Sequence, residues 1–398
     1  MKKLIYIFLI YIFCIFNPSF AQFTGEWELA NGGNTSTVTS YAISGNNLIA
    51  STYDGVYLST NNGIDWVSIK NNLSANFVNA VAVKDNYIFI GTEGYGIFVS
   101  TNEGADWQQI NTGLTNMDVK DIAINGNYIY AGTYIGIFQS TDNGNNWVKL
   151  DNVFSENLYV YSLVVDGNNV FAGTMRGVFL TTDNGSSWTQ LNNGLINNHV
   201  MSFAISDNNV FVGTEGGVYL STNYGTNWVE CNPELNNKTI SGISIKENYI
   251  FAGSSYNGLY YSTDMGTNWT LANDGLDNIF IHALILKNQY IFAGTTTGTY
   301  RRELNITSIP FNVTDYINSF SIFPNPAENF INIQISQSNV SNAVISIYNS
   351  LGEKEREINI DELSKEFSLD IQSLSAGTYL LNINSKDFSK SQKFCIVR

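Results

Sequence analysis

One octet is written six times in this chain. The first copy is Ser59-Thr60-Asn61-Asn62-Gly63-Ile64-Asp65-Trp66. The others start at Ser100, Ser140, Thr181, Ser221 and Ser262, and end at Trp107, Trp147, Trp188, Trp228 and Trp269. Successive Trp residues lie 41, 40, 41, 40 and 41 positions apart. A fixed period of that size points to a propeller, a solenoid or an array, in which each repeat buries its apolar face against its neighbours.

The octet reads as a tight hairpin turn. Gly63, Gly104, Gly144, Gly185, Gly225 and Gly266 suit a left-handed backbone position that strains other residues. Two residues earlier stand Asn61, Asn102, Asp142, Asp183, Asn223 and Asp264. Half of these cannot ionise, so their shared property is hydrogen-bond acceptance rather than charge. The octet residues, its Trp included, are therefore expected to be structural and not catalytic.

Three more features recur in each repeat. An apolar run such as Val78 to Val83 leads into a polar turn. A second run ends in Gly-Thr or its equivalent, at Ser51-Thr52, Gly91-Thr92, Gly132-Thr133, Gly173-Thr174, Gly213-Thr214, Gly253-Ser254 and Gly294-Thr295. A third run leads into the octet, and its Trp opens a fourth. The runs are β-branched and aromatic, without helical periodicity. Four strands in about 40 residues make one propeller blade.

The counts predict how the ring closes. There are seven Gly-Thr sites but six octets, and the seventh repeat stops after its third strand, at Gly298 to Asn305. A lone Trp27, in Gly25-Glu26-Trp27-Glu28-Leu29, precedes Trp66 by 39 residues. Residues 24–30 are thus expected to supply the missing outer strand, leaving no open blade edge. Aligned first strands also give a ring of mostly small residues: Ser40, Ala80, Asp121, Ser162, Ser202, Gly242 and Ala283. Such residues suit the crowded axis of a propeller, and Asp121 is the one charge among them.

The octet resembles the Asp-box of the BNR repeat found in sialidases, sortilin-type receptors, photosystem assembly factors and two-propeller xyloglucan hydrolases. In those families the box is a structural turn away from the active face, which the resemblance implies here too.

Residues 1–21 read as a signal peptide, with Lys2 and Lys3 before an apolar run to Phe16 and Ser19-Phe20-Ala21 as the cleavage site. The domain reading is 22–305 propeller, 306–319 linker and 320–398 a small Ig-like β-sandwich, the last from period-two alternation such as Ile331 to Ile335 and Thr378 to Ile383. This last segment resembles the type A C-terminal sorting domain of the Bacteroidota type IX secretion system. The resemblance lies in Phe323-Pro324-Asn325-Pro326, Ile347-Tyr348-Asn349-Ser350-Leu351-Gly352, Leu374-Ser375-Ala376-Gly377-Thr378-Tyr379 and the basic end Lys393 to Arg398. It implies the type IX machinery as a partner, export through the outer membrane, removal of the domain, and release or surface attachment. The fold class is all-β, with no membrane-spanning segment expected and a monomer as the expected state.

Charge and chemistry narrow the function. Residues 22–305 hold 10 Lys+Arg against 24 Asp+Glu, a net of −14, which disfavours nucleic acid as a ligand. No cofactor or metal site is expected, because Cys231, Cys395, His199 and His282 show no ligand spacing. The sialidases that the octet resembles grip a substrate carboxylate with three converging Arg. This propeller has only Arg176, Arg301 and Arg302, and the last two are adjacent in a strand and point to opposite faces.

Loops between second and third strands differ from blade to blade, whereas the opposite face repeats Asn, Asp and Gly. The divergent loops carry Tyr53, Asp54, Glu93, Tyr95, Tyr134, Arg176, Glu215 and Tyr256. Aromatic rings among acids suit contact with an extracellular glycan or protein ligand. Tyr53, Glu93, Tyr95, Tyr134, Arg176, Glu215 and Tyr256 are therefore the candidate ligand residues, with Asp121 as a polar floor. Two functions fit: a secreted or surface-displayed binding module, or an extracellular glycoside hydrolase or lyase using carboxylates of that face.

Overall fold

The computed structural model describes residues 25–30, 35–150, 158–231, 235–247, 249–304, 320–323, 327, 329–335, 340–349, 353–363, 366–385 and 389–396. The expected signal peptide and linker lie outside these residues. The chain divides into two compact units, one of which is Phe23–Asn305.

That unit is a seven-bladed propeller. Its seven four-stranded antiparallel sheets each run from an innermost first strand to a two- or three-residue outer strand. In the first blade these are Val38–Ser44, Asn47–Thr52, Gly55–Ser59 and Val67–Ser68. First strands pack side by side around the axis, and that of the seventh blade, Ile281–Lys287, packs on that of the first.

The ring closes as the counts predicted. Glu28–Leu29 pairs antiparallel with Gly298–Glu303 as the seventh outer strand, Glu28 opposite Arg301 and Leu29 opposite Tyr300. Trp27 completes the joint: its backbone N–H donates to Asp274 O at 2.9 Å and its indole to Ala272 O at 2.8 Å. The indoles of Trp107, Trp147 and Trp228 make the equivalent bond to Ile69, Ile110 and Leu191 of the preceding blade. Trp27 thus docks like a covalently continuous neighbour, across 245 residues of sequence.

The core lies between blades. Ala80, Phe89 and Ile97 of the second blade cluster with Ile122, Ile129, Phe138 and Trp147 of the third. Phe292 of the seventh joins Val38, Leu48, Tyr57 and Trp66 of the first. Each fully buried aromatic contributes roughly 1.5–3 kcal/mol, so the ring is held by apolar faces repeated at every joint.

The octets form the turns between third and outer strands. In every copy the leading Ser or Thr hydroxyl accepts the N–H of the Gly, for instance Gly144 N to Ser140 Oγ at 2.9 Å. The Asn or Asp oxygen accepts the N–H four residues on, as in Asn146 N to Asp142 Oδ1 at 2.9 Å. Asn and Asp serve alike in this bond because it uses one side-chain oxygen, and the residue four on matches the other atom: Asn61 and Asn102 Nδ2 donate to Asp65 and Asp106, whereas Asp142 and Asp264 Oδ2 accept from Asn146 and Asn268. The glycine has a second reason that sequence does not show. A Cβ on Gly144 would lie 2.3 Å from Ile110 Cδ1 of the preceding blade, and one on Gly63 the same distance from Phe292 Cε1.

The C-terminal unit is a two-sheet sandwich. One sheet holds Phe320–Phe323, Phe330–Ile335 and Glu366–Asp370; the other orders Lys354–Leu363, Val340–Tyr348, Gly377–Asn384 and Ser389–Ile396. Ile331, Ile333, Ile345, Ile347, Leu381, Ile383 and Phe394 fill the core between them. Residues 324–326 and 350–352 of the quoted motifs lie outside the described residues.

Candidate ligand-binding site

Each first strand carries a β-bulge at one aligned position. The ladder skips from Val38 to Ser40 in the first blade and makes the same skip in the other six. A bulge adds one unpaired residue and breaks the in-out alternation. The unpaired residues are Thr39, Asn79, Lys120, Tyr161, Met201, Ser241 and His282, and all seven line a cavity of about 430 Å³ at the axis.

Six of the seven aligned small residues line the same cavity, Ala80 being the exception. Two consecutive side chains per blade therefore face the axis, where simple alternation allows one. Tyr41, Tyr53 and Ser255 also line it, and the last two belong to loops between second and third strands. The cavity thus adjoins the divergent face.

The bulged ring was missed in the sequence because a bulge has no local signature. One signal was present: the residue before it is always Val or Ile (Val38, Val78, Val119, Val160, Val200, Ile240, Ile281), while the bulged residue differs in every blade. Those seven preceding residues are completely buried.

Asp121 is half-buried in the recess. Its Oδ2 accepts Leu163 N at 2.7 Å and its Oδ1 accepts Ile122 N at 2.8 Å. Removal from bulk water dominates these bonds and pushes its carboxyl up from 3.8 to about 7. Burial pushes the His282 imidazole down, towards the neutral form. His282 Nε2 and Ser162 Oγ are buried and hydrogen-bond to no described residue.

A chain of rings and charges lies on the divergent side of blades two to five. Lys120 Nζ is 3.7 Å from Glu93 and 4.6 Å from the Tyr134 ring centre. Tyr134 meets Tyr159 at 4.3 Å between centroids, Tyr159 meets Tyr161 at 6.1 Å, and Tyr161 meets His199 at 6.3 Å. His199 Nδ1 in turn lies 2.8 Å from Glu215. Desolvation, with Glu215 next, raises the Tyr161 phenol above its usual range.

Of the candidate residues, Tyr53 and Asp121 line the cavity. Glu93 and Tyr134 contact Lys120 of the lining, whereas Glu215 contacts His199, which is outside the lining beside the Tyr161 ring. Tyr95, Arg176 and Tyr256 are exposed and outside the lining. Tyr53 and Tyr256 are engaged edge-on by Phe77 and Phe280, at 5.3 and 5.6 Å. Asp54 lies 3.5 Å from Lys70. Among the described residues no cluster of His, Cys, Asp and Glu could hold a metal ion. Cys231 is buried under Gly266, with its thiol pushed far up by desolvation, and has no visible chemical task.

Known proteins bear on both units. Residues 321–397 match the family described as the secretion system C-terminal sorting domain. The C-terminal unit is a sorting domain. The chain is therefore cargo of the type IX secretion system, delivered to the cell surface or beyond. No helix among the described residues is long and apolar enough to cross a membrane.

No curated protein sequence matches the chain. Solved structures do. PorZ, a surface component of the type IX secretion system of Porphyromonas gingivalis, aligns with TM-score 0.55 and 16% identity over 93% of this chain and 60% of that one. The extracellular domain of a putative one-component system from B. thetaiotaomicron aligns with TM-score 0.61 and 19% identity over 84% of this chain and 47% of that one. YCF48 bound to a D1 peptide aligns with TM-score 0.60 and 16% identity over 72% of this chain and 99% of that one. This chain spans well under two thirds of the first two, and at these identities the likeness shows the fold alone.

Proposed function

We propose that this exported propeller is a binding module whose ligand enters the axial cavity from the divergent face. One observation carries the reading: seven bulged side chains, all different, line one cavity beside loops that also differ. A single asymmetric ligand needs such non-equivalent groups, and about 430 Å³ falls within the range of small-ligand sites. Tyr53 and Asp121 belong to the inner site. Glu93 and Tyr134 position Lys120, Tyr159 and His199 flank Tyr161, Glu215 holds His199, and Tyr95, Arg176 and Tyr256 serve a longer ligand running outward. That YCF48, a similar fold, is seen with a peptide supports the propeller as a binding scaffold.

The glycosidase alternative needs two carboxylates facing across a cleft. Asp121 is the one carboxylate among the described lining residues. Asp54 and Glu93 stand beside Lys70 and Lys120 instead, and Glu215 beside the His199 imidazole. Screening the full chain on immobilised glycans and peptides, then incubating any hit to look for cleavage, separates the readings. Binding lost in Lys120→Ala and kept in Asp142→Asn supports the axial site. The reverse pattern moves the site to the octet face.

A further inference from the structure

We infer that the axial cavity takes the uncharged end of a glycan, with sugar hydroxyls held by the serine and threonine ring and a sugar face held by Tyr161. The inference rests on the cavity being the binding site and adds the chemical class of its ligand.

The charges that line the cavity are already committed. Asp121 has both oxygens on backbone N–H groups, at 2.7 and 2.8 Å. Lys120 is turned to Glu93 and to the Tyr134 ring. His282 is held towards neutrality by burial. A charged ligand entering this recess loses hydration and meets no uncommitted counter-charge in the lining, which is costly for either sign. An uncharged ligand escapes that cost.

The polar groups of the lining match hydroxyls in donor and acceptor type. Thr39, Ser40, Ser162, Ser202 and Ser241 line the well. Thr39, Ser202 and Ser241 donate to the carbonyls of Val78, Ile240 and Ile281, which leaves their oxygens as acceptors for a sugar hydroxyl. Ser162 Oγ and His282 Nε2 are buried with no partner among the described residues. Such groups cost free energy until they are matched. A sugar hydroxyl, itself donor and acceptor, matches either one. A peptide would bring a strip of backbone amides, which suits an open groove or sheet edge better than a well at the hub of seven strands.

The tyrosine rings differ in how far they are already occupied. Tyr134 already has Lys120 4.6 Å from its centre and Tyr159 at 4.3 Å. Tyr161 lines the cavity and its aromatic neighbours stand at 6.1 and 6.3 Å. Stacking therefore falls to Tyr161 rather than Tyr134.

The test is calorimetric titration of the full chain with three sets of probes. These are neutral gluco-, manno-, xylo- and galacto-oligosaccharides; oligogalacturonate and sialyllactose; and a displayed random-peptide library with its selected sequences. The expected result is binding of a neutral oligosaccharide that weakens about fivefold or more in Tyr161→Ala and in Ser162→Ala. Thermal unfolding should show both variants folded, and Tyr134→Ala should matter less than Tyr161→Ala. Tyr161-dependent binding of only the acidic sugars, or only of a peptide, overturns the neutral-glycan class and leaves the cavity as the site. Absence of Tyr161-dependent binding in all three sets overturns the site as well.

Discussion

The two faces of the propeller obey different rules. The octet face repeats one hydrogen-bond pattern six times, and its side chains latch blades together: Lys287 of the seventh blade donates to Asn62 of the first, at 3.2 Å, and Lys84 of the second to Asn143 of the third, at 2.9 Å. On the divergent face the turn itself is also fixed, for example by Thr133 Oγ1 donating to Gly136 O at 2.9 Å. The residues at its tips change from blade to blade. Backbone geometry repeats on both faces; the octet keeps its Ser or Thr, Asn or Asp, Gly and Trp and varies between them, as at Glu103, Tyr224 and Met265, whereas the tips of the divergent loops keep no common residue. A scaffold thereby holds unlike groups around one axis without a different fold for each.

The largest expected effect breaks this comparison from the structural side. Gly144→Val places a β-branched residue at φ 87° and drives its Cβ into Ile110. It should cost about 4 kcal/mol. Gly94→Ala on the other face also has a positive φ, 80°, but nothing within 4 Å of the new Cβ, so it should cost only about 1 kcal/mol. Equal losses in denaturant titrations would show that backbone strain alone, not the approach of the neighbouring blade, requires the octet glycine.

Trp27→Ala comes next. Trp27 is 4% exposed and bridges the two chain ends of the ring, so its loss should cost about 3 kcal/mol, like any large core truncation. A melt unchanged by this substitution would mean that the first blade and the seventh hold together without the outer strand.

Asp121 gives a pH test of the divergent side. Its folded value near 7 exceeds the unfolded 3.8, so the folded state holds more protons between these limits. The stability it adds is complete below about pH 4 and is lost as pH rises through 7. Asp121→Asn should remove that slope and stabilise the protein at pH 8 by roughly 1–2 kcal/mol, the full shift being discounted because the cavity admits water. A variant with the same pH slope as the parent would place the titrating group elsewhere.

On the octet face the corresponding acid behaves oppositely. The amide and backbone of Asn146 hold the Asp142 carboxyl below its usual range. Asp142→Asn should nevertheless unfold within a few degrees of the parent at neutral pH, because Oδ1 still accepts the Asn146 N–H and the Asn146 amide can turn its oxygen to the new Nδ2, as the Asn223 and Asn227 pair allows, whereas Asp142→Ala should lower the midpoint visibly. The smallest effect sharpens the picture from the gain side. Met265 occupies a left-handed position, φ 58°, where three other octets have Asn. Met265→Asn should stabilise by about 0.5 kcal/mol.

The sequence by itself determined the blade count, the strand order within a blade and the joining of the ends, because periodicity and the mismatch between seven Gly-Thr sites and six octets are countable without coordinates. It also pointed to hydrogen bonding rather than charge at the third octet position, since Asn and Asp alternate there. It placed the variable side of the disc, but the candidate list drawn from those loops mixed Tyr53, which lines the cavity, with Tyr95, Arg176 and Tyr256, which do not. Only the tertiary structure brought in Lys120, Tyr161 and His282. Their direction depends on a one-residue bulge that reverses the expected side of the strand, and a bulge is a property of pairing between strands rather than of either strand alone. The same holds for Gly63 and Gly91: the side chains that a Cβ would strike there, Phe292 and Val119, belong to other blades, and only the closed ring brings them close.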